Sequence, residues 1–561
     1  MNSDIWSIIR RDCTSYSEME PVEMDGLFPH QRRDVNAMEE ILGRRNAVLN
    51  GGDTGTGKTR SICALSVRLN MPIFGIVPKP VVPTWFDEAA AVGANIIGLT
   101  NYESAKNGKY YKLAGEFFAE ERSACPYLRR EKVDGVNQYI WDLPAGTLVV
   151  FDEAHRGKNT VTQTSKLMES AGVLTERGCK IAILSATITD SIECFRVPSY
   201  LLGLAQRGLH AYRAWLRTFK PRRVRVAREG DPAPGGPVER EVFRDETQAE
   251  IIHRIVYEGP DKCGVRTRIR DLQADRDEIV REMFLRNDVC AQTYDMSPEV
   301  EAEIEAAHAE IEAALRDLKN KQQGEECPLT IILRARQRIE MLKVPTLGML
   351  AMEYVDQEKS VVLFVNFNET ATRLFEILDP YIQEEHHSFV TFINGGQSPE
   401  ERAYNINAFR QDRSRIMIAN IRAGGVGISL HDINGNFGRV SLISPTWSSI
   451  ELKQALGRIH RAGARTPCIQ RIVYCKGRVS TVGRKIADDA MIQGPGGLVR
   501  AGDNLELKEQ LEARMGNDTT FKSKEGKGRV GVEEYMAEAV NRKLCTIEWL
   551  NNGDADDLQQ F

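Results

Sequence analysis

The stretch "NAVLNGGDTGTGKT", residues 46–59, joins an apolar run to a glycine-rich turn that opens a helical pattern. The turn fits G-x-x-x-x-G-K-[ST], a spacing that lets backbone N–H groups surround a polyphosphate at a helix N-terminus. Lys58 is placed to reach the β- and γ-phosphates, and Thr59 to ligate Mg²⁺. The strand-turn-helix context therefore predicts a nucleotide site, and the strand before it predicts a parallel sheet.

Similar apolar runs, separated by helical patterns, occur in both halves of the chain. They are nearly continuous rather than alternating, as in strands that are covered on both faces. Alternation of such strands with helices predicts an α/β fold with parallel sheets and crossover helices. The predicted strands are residues 46–50, 72–78, 146–152 and 179–187 in the first half, and 360–367, 389–395, 415–420 and 439–445 in the second.

Composition excludes several classes of protein. Hydrophobic residues make up 42% and charged residues 27% of the 561 residues, as in ordinary globular chains. No apolar stretch approaches the roughly 18 to 20 residues of a membrane helix, so no membrane association is expected. The early charges in "MNSDIWSIIRRDC" argue against a secretory signal. None of the eleven cysteines forms a C-x-x-C pair, which favours a reducing, intracellular location.

"FDEAHRGKN", residues 151–159, places two carboxylates at the end of a predicted buried strand. Asp152 is expected to meet the Mg²⁺ held by Thr59, and Glu153 to polarise the attacking water as a general base. The next strand ends in "LSAT", where Ser185 and Thr187 are weaker candidates for sensing the γ-phosphate. A polar strand cap is the alternative, but it does not account for the glycine-rich turn upstream.

"QALGRIHRAG", residues 454–463, supplies arginines from the second half of the chain. A site that must stabilise transition-state charge can take an arginine from another domain. Arg458 and Arg461 are three apart, which on a helix places them on one side. The glycines of "ANIRAGGVGISL", residues 419–430, allow close backbone approach just upstream.

Two further stretches with a distinctive pattern lie in the middle of the chain. Residues 207–228 contain no acidic residue, which indicates either a solvated basic face or a local nucleic-acid site in a chain of net charge −5. Charge reversal at Arg222 and Arg223 is expected to lower nucleic-acid affinity and flatten its salt dependence if the second reading holds. Residues 297–321 predict one long structural helix that Ser297 caps.

In this order, "FPHQ", "GDTGTGKT", "DEAH", "SAT", "AGGVGISL" and "QALGRIHR" resemble the motifs of superfamily 2 helicases and translocases over about residues 27 to 480. "DEAHRGKN", "IVPKPVVPTWFDEA", "LTNYES" and "NGGQSPEERAYNINAFR" resemble the Swi/Snf-like translocase branch. The "SATIT" and "AGARTP" stretches depart from that branch. Compact members of this general type also occur in large DNA viruses and phages.

The resemblance implies two RecA-like lobes that hydrolyse ATP with Mg²⁺ in the cleft between them. Its implied roles are phosphate and nucleotide binding, metal binding, hydrolysis and contact with nucleic acid. In the first lobe they fall on Gln31, Gly52, Gly55, Gly57, Lys58, Thr59 and Arg60 for the nucleotide, on Thr59 and Asp152 for the metal, and on Asp152, Glu153 and His155 for hydrolysis and its coupling. In the second lobe they fall on Gly427, Gln454, Arg458 and Arg461, with Arg461 as the arginine finger. The nucleic-acid track would include Pro78, Lys79, Thr100, Asn101, Tyr102, Asn366, Gly424, Gly425, Arg222 and Arg223.

The predicted organisation is an N-terminal extension (1–26), a first lobe (27–205), a basic and helical insertion (206–345), a second lobe (346–490) and a C-terminal extension (491–561). The favoured function is translocation on duplex DNA. A helicase that separates DNA or RNA strands in transcription is the alternative, and a non-catalytic structural or binding subunit is the third. Protein partners would bind the insertion or the C-terminal extension. The expected compartment is the nucleus or cytoplasm, or the virion or viral factory for a viral protein.

Overall fold

The structure is a computed structural model that describes the chain with gaps. The described residues are 26–114, 117–159, 162–219, 222–226, 238–242, 246–275, 277–294, 296–320, 327–424, 428–475, 491–494, 497–500 and single positions between 537 and 551. Within these ranges no helix is long and apolar enough to cross a membrane. The predictions for residues 1–25, Gly425, Gly427 and most of the C-terminal extension lie outside the described residues.

The first lobe is a sheet with helices on both faces. Strands β1, β9, β8, β2 and β3 lie side by side in parallel, and β4 and β5 extend this sheet as an antiparallel edge. The elements are α1 (Pro29–Arg44), β1 (Ala47–Asn50), α2 (Lys58–Leu69), β2 (Ile73–Ile76), α3 (Val82–Val92), β3 (Ile96–Thr100), α4 (Tyr102–Ala105), β4 (Lys109–Ala114), β5 (Phe117–Ala124), β6 (Leu128–Val133), β7 (Val136–Trp141), β8 (Leu148–Asp152), α5 (Gln163–Ser170), β9 (Lys180–Leu184) and α6 (Arg196–Leu201).

Some elements of the central part of the chain stand apart from both sheets, whereas two of its strands pair within the sheet of one lobe or the other. Strands β10 and β11 form a hairpin of their own, whereas β12 pairs in parallel with β1 of the first lobe. The elements are α7 (Leu209–Arg217), β10 (Arg222–Val226), β11 (Val238–Val242), α8 (Glu246–Tyr257), β12 (Gly264–Val265), α9 (Ile269–Gln273), α10 (Glu278–Glu282), β13 (Asn287–Tyr294), α11 (Pro298–Asn320) and α12 (Pro328–Leu342).

The second lobe is a parallel sheet in the order β13-β18-β17-β14-β16-β15. Its first strand comes from the central part of the chain. The remaining elements are α13 (Val344–Asp356), β14 (Lys359–Val365), α14 (Asn368–His386), β15 (Val390–Ile393), α15 (Pro399–Arg410), β16 (Ile416–Asn420), α16 (Ile421–Gly424), β17 (Gly438–Ile443), α17 (Ser449–Leu456), β18 (Cys468–Cys475), β19 (Met491–Gly494) and β20 (Gly497–Arg500).

Continuous apolar strands explain why both sheets are covered on two faces. All residues of β1 and β2 are buried, as are all but the first residue of β14. Alternate side chains of these strands enter different cores, so that Leu49 packs in one core of the first lobe and Val48 in the other. The eight strands predicted from apolar runs are all present, and the helix predicted at 297–321 is α11.

The block predicted as an insertion, residues 206–345, is not one separate unit. Strand β12 belongs to the first sheet and β13 to the second, so the predicted boundaries enclose parts of both lobes. Neither strand is a continuous apolar run, and only their partners identify them. Helices α11 and α12 pack on each other through a small apolar cluster that includes Ile311 and Ile339.

Candidate active site

The glycine-rich turn lies between β1 and α2, as its sequence predicts. The backbone is left-handed at Gly57, with φ of 81°, and a Cβ there would lie 2.0 Å from Nε2 of Gln31, so only glycine fits. The amine of Lys58 donates to the carbonyl oxygens of Gly52 at 2.8 Å and Asp53 at 3.0 Å. These bonds hold the lysine across the turn, where a polyphosphate would meet it.

Two of the residues that were predicted to bind the nucleotide form hydrogen bonds or ion pairs with other residues of the protein. Gln31 is buried, donates to the carbonyl oxygen of Thr56 at 3.4 Å and accepts from the N–H of Phe28 at 3.0 Å. It therefore braces the glycine-rich turn from α1. Arg60 forms an ion pair with Glu88 on α3 and donates to the carbonyl oxygen of Gly26. The structure does not bring Arg60 to the turn, because these partners hold its guanidinium on the side of α3.

Asp152 ends β8, and aromatic side chains fix its position. The indole Nε1 of Trp85 donates to Oδ2 of Asp152 at 3.0 Å, and the hydroxyl of Tyr102 donates to its carbonyl oxygen at 2.7 Å. The backbone then enters the left-handed region at Glu153, with φ of 51°. A non-glycine residue in this conformation costs free energy and is concentrated at functional sites. In this turn the N–H of Glu153 donates to Oδ1 of Asp152 at 2.9 Å.

The two carboxyl groups have opposite pKa shifts. Burial raises the pKa of Asp152 to about 6, and the charge of Glu153 adds to this. Burial acts in the same direction on Glu153, but the hydrogen bond and charge of His155 and the charge of Lys58 outweigh it and lower its pKa to about 2. Glu153 is therefore ionised near neutral pH, as a general base must be. A divalent cation beside Asp152 would offset the burial that raises its pKa.

His155 links this carboxylate to the next strand and to the second lobe. Its Nδ1 lies 3.2 Å from Oε2 of Glu153 and 3.3 Å from Oγ of Ser185, the serine of "SAT". Across the cleft, Nε2 of Gln454 donates to Oε2 of Glu153 at 3.3 Å and lies 3.4 Å from Nε2 of His155. Contacts through Glu153 and His155 thus connect residues from three separate motifs.

The second lobe approaches the glycine-rich turn closely. A Cβ on Gly457 would lie 2.7 Å from Cγ2 of Thr54, and one on Gly55 would lie 3.2 Å from Cγ of Arg461. Helix α17 ends at Leu456, so the prediction that Arg458 and Arg461 lie on a helix is wrong. Instead they lie in the turn after it, which Arg458 stabilises by donating to the carbonyl oxygens of Gln454 and Ile428.

The arginines in the cleft fit a polyphosphate. Burial lowers the pKa of Arg461 to about 9, and repulsion from Arg458 and Arg410 adds to this, while burial lowers the pKa of Arg458 to about 10. These positive charges are held close together at a cost that a bound anion would relieve. Together with the backbone of the turn and Lys58, they supply the positive charge and N–H groups that a nucleoside triphosphate between the lobes would need.

Several residues of this site have no sequence signal of their own. Trp85 lies in the quoted "VPTWFDEA" segment, but its bond to Asp152 depends on the packing of α3. Arg266 contacts the glycine-rich turn only because β12 joins the first sheet. Arg410, at the end of α15, adds positive charge that lowers the pKa of Arg461. His431, in the loop before β17, lies close enough for the charges of Arg461 and Arg410 to lower its own pKa.

The predicted nucleic-acid track is only partly a surface. Lys79 is exposed, whereas Pro78 is buried. The side chains of Thr100, Asn101 and Tyr102 are all buried and hydrogen-bonded inside the first lobe, which corrects the expectation that they contact nucleic acid. Asn101 caps α4 by accepting from the N–H of Ser104, a role that its sequence position also permits.

In the second lobe, Asn366 follows β14 and donates to the buried carboxylate of Glu340 at 2.6 Å. The same carboxylate accepts from the N–H of Phe367 and from the hydroxyl of Ser444. Gly424 ends α16. Arg222 and Arg223 lie in β10, where the register sets Arg223 opposite Glu241 of β11. The basic stretch thus pairs with a strand that contains acidic residues.

Comparisons with known proteins bear on this site. Residues 344–463 match the model of the Helicase conserved C-terminal domain. A protein of Acanthamoeba polyphaga mimivirus, provisionally named ATP-dependent RNA helicase L364, is 32% identical over 480 residues, which cover 83% of each chain. Protein CHROMATIN REMODELING 24 of Arabidopsis thaliana is 21% identical over 547 residues, covering 86% of this chain and 47% of that protein.

Among solved structures, the Sulfolobus solfataricus SWI2/SNF2 ATPase core in complex with dsDNA matches 81% of this chain and 90% of that one, at 15% identity and a TM-score of 0.30. The assignment of two parallel-sheet lobes rests on the strand order described above and not on this likeness. With motifs from both lobes assembled around one carboxylate, and with the mimivirus relative similar over most of its length, the chain belongs to the superfamily 2 helicases as an ATP-hydrolysing member.

Proposed function

We propose that this protein is a nucleic-acid-stimulated ATPase that uses ATP to move along duplex DNA. The observation that carries the proposal is the contact of Gln454 with Glu153 and His155, because it joins the hydrolytic carboxylate to the second lobe. A site completed by two lobes is active only when they are closed. A nucleic acid that binds across both lobes can therefore control hydrolysis, and hydrolysis can in turn move the lobes along it.

The residues of the first lobe fit ATP and a divalent cation. Lys58 and the backbone of the turn would hold the phosphates, and Thr59 and Asp152 would hold Mg²⁺. When bound, the cation would neutralise phosphate charge and orient the terminal phosphate. Glu153 would accept a proton from the attacking water. Arg461 would stabilise the charge that develops on the phosphate, with Arg458 holding the turn that presents it.

The proposed track uses basic residues that lie near the ends of strands. Lys79 follows β2 in the first lobe. In the second lobe, Arg422 has an exposed side chain on α16, and Arg336 of α12 lies over the ring of Phe367 beside Asn366. Contacts from such residues to phosphates are largely independent of base sequence. This suits a motor that moves along the backbone.

Duplex DNA is favoured because several relatives are named as DNA repair proteins or as a chromatin remodelling protein. The mimivirus relative is named as an RNA helicase, which supports strand separation on RNA as the second candidate. The two candidates share the ATP site and differ in the nucleic acid that closes the lobes.

The test compares ATP hydrolysis with duplex DNA, single-stranded DNA and RNA at equal nucleotide concentration. Stimulation by duplex DNA, without displacement of a labelled strand, is the expected result. Strong stimulation by RNA or single strands, with strand displacement, would replace translocation by unwinding. Absence of hydrolysis with every nucleic acid would return the protein to the class of structural subunits.

A further inference from the structure

The described residues of the C-terminal extension bridge the two lobes. Val540, Leu544 and Ile547 are buried in the core of the second lobe, whereas Leu550 is buried in the core of the first. Next to it, Nδ2 of Asn551 donates to the carbonyl oxygen of Ala186, inside the "SAT" motif, at 2.7 Å. This short segment therefore touches the machinery of hydrolysis from outside the recognised motifs.

Glu548 of this segment lies at the junction of the lobes. Only 4% of its surface is exposed, and its carboxylate forms an ion pair with Lys453 of α17, the residue before Gln454. On the other side of the junction, Asp53 of the glycine-rich turn forms an ion pair with Arg266 at 2.6 Å and accepts from the N–H of Ile269. The side chain of Arg266 is 6% exposed.

The two ion pairs lie within electrostatic reach of each other. Burial acts to raise the pKa of Asp53, but the charges of Arg266 and Lys453 outweigh it and lower the pKa to about 2. Burial acts to lower the pKa of Arg266, but the nearby carboxylates of Asp53 and Glu548 outweigh it and raise the pKa. The two ion pairs therefore act on each other, Lys453 on Asp53 and Glu548 on Arg266, and we call these four groups of alternating sign the charge ring.

This charge ring joins four separate parts of the chain. Asp53 comes from the glycine-rich turn, Arg266 from the segment after β12, Lys453 from α17 and Glu548 from the C-terminal extension. Each charge has an ion-pair partner of opposite sign, as partly buried charges require. Loss of one member would leave two like charges facing each other across the junction.

We propose that Glu548 is a positioning residue for ATP hydrolysis: through the charge ring it holds α17, and with it Gln454 and the turn of Arg461, against the glycine-rich turn. The inference rests on the proposed ATPase function and adds to it a control by the C-terminal extension. Glu548 does not touch the nucleotide site itself. Its effect passes through Lys453 to the neighbouring glutamine and arginines.

The first experiment replaces Glu548 by glutamine in the full chain. We expect kcat to fall about tenfold or more, with KM for ATP changed by less than about threefold, because the first-lobe phosphate site stays intact while the second-lobe groups act in the transition state. Glu310→Gln is the matched control, since it removes an exposed carboxylate from the ion pair with Arg338. An E548Q enzyme with unchanged kcat would overturn the proposal.

A charge swap separates the ring from an isolated pair. In K453E/E548K, an isolated pair would be restored and kcat with it. In the charge ring, the new lysine would face Arg266 and the new glutamate would face Asp53, so kcat should stay low. Recovery of the wild-type kcat would overturn the ring. If E548Q does not fold, Lys453→Met, at a partly exposed position, provides a second single variant, and its kcat should also fall.

Measurements on the wild type test the proposed function, and differences between the variants and the wild type test the role of Glu548. The wild type alone, with and without each nucleic acid, tests stimulation by duplex DNA. The variants are measured under the condition in which the wild type is fastest, or at its basal rate if no nucleic acid stimulates it. Binding of a fluorescent ATP analogue provides the second readout, and it should be nearly equal in E548Q and the wild type.

Discussion

At the scale of single residues, Glu153 shows how local backbone and charge combine. Its backbone is left-handed, and His155 and Lys58 keep its carboxylate ionised despite burial. The motif predicts which residues take part. The opposite pKa shifts of the two neighbouring acids depend on burial and on partners that only the fold provides.

Replacement of Glu153 by glutamine should separate nucleotide binding from hydrolysis. The amide keeps the shape of the side chain but cannot accept a proton, so kcat should fall about a hundredfold or more. ATP affinity should change little, because Lys58 and the backbone of the turn remain. Single-turnover hydrolysis and equilibrium binding measure the two effects. Glu103→Gln, an exposed carboxylate on α4, is the control, and full turnover by E153Q would contradict the assignment of the base.

His431 lies buried beside the arginines of the cleft. Neither ring nitrogen has a hydrogen-bond partner among the described residues. Burial lowers the pKa of this histidine to about 3, and the charges of Arg461, Arg410 and Arg439 add to the shift. The ring is therefore neutral in the folded protein at pH values where a free histidine is protonated.

This shift predicts a dependence of stability on pH. Between pH 6.5 and 3 the unfolded state binds more protons at His431 than the folded state, so acidification destabilises the fold. From pH 7.5 to 5 the wild type should lose about 2 kcal/mol more than His431→Leu in the free energy of unfolding of the second lobe. Chemical denaturation at the two pH values measures this loss. His210→Leu, at an exposed position on α7, should behave as the wild type, and equal losses in H431L and the wild type would contradict the buried neutral ring.

At the scale of elements, the glycine-rich turn is held from both sides. Strand β12 pairs with β1. In the segment after it, the carbonyl oxygen of Thr267 accepts from the N–H of Asp53, and Arg266 donates to the Asp53 carboxylate. On the other side, the end of α17 approaches to van der Waals distance at Gly457. Strand β12 has two residues and no apolar periodicity, so its position was not predictable from the sequence.

Gly457→Ala tests the closeness of this contact. Alanine favours helical backbone over glycine by up to about 1 kcal/mol, so the second lobe should keep or gain stability. Across the cleft, however, the new methyl group would lie 2.7 Å from Thr54 and force the lobes apart. We expect kcat to fall about tenfold while the unfolding temperature of the second lobe does not fall.

The matched control for this prediction is Gly348→Ala. That glycine lies inside α13, and a Cβ there would meet only Ile377, at an ordinary 3.7 Å. Its kcat should equal that of the wild type. Equal kcat for G457A and G348A would show that the lobes do not need this approach.

At the scale of the whole molecule, the two lobes form one site. Lys58, Asp152 and Glu153 come from the first lobe and Gln454, Arg458 and Arg461 from the second. The first lobe supplies the glycine-rich turn with Lys58, and the second lobe adds the positive charges of Arg458 and Arg461. Segments outside the motifs, such as β12, β13 and the C-terminal residues, connect the lobes and hold the site together.

A non-hydrolysable ATP analogue should therefore stabilise both lobes of the wild type. At a concentration of 100 times Kd the expected gain is about 2.7 kcal/mol. In Arg461→Ala the analogue should still bind the first lobe, but the unfolding transition of the second lobe should no longer shift. Calorimetry with and without the analogue measures both transitions. Arg338→Ala, in an exposed ion pair of the second lobe, is the control, and an undiminished shift in R461A would contradict the shared site.

The sequence by itself determined the two α/β lobes, the eight buried strands named above and the motifs that meet where the two lobes approach each other. Strong apolar runs and a glycine turn with fixed backbone demands are local properties, so they can be read without the fold. Tertiary structure decided which of those residues meet. It buried Thr100, Asn101 and Tyr102, held Arg60 at Glu88, and placed Arg458 and Arg461 in a turn. It also assembled the charge ring from four distant segments, because ion pairs between such segments leave no periodic trace in the chain.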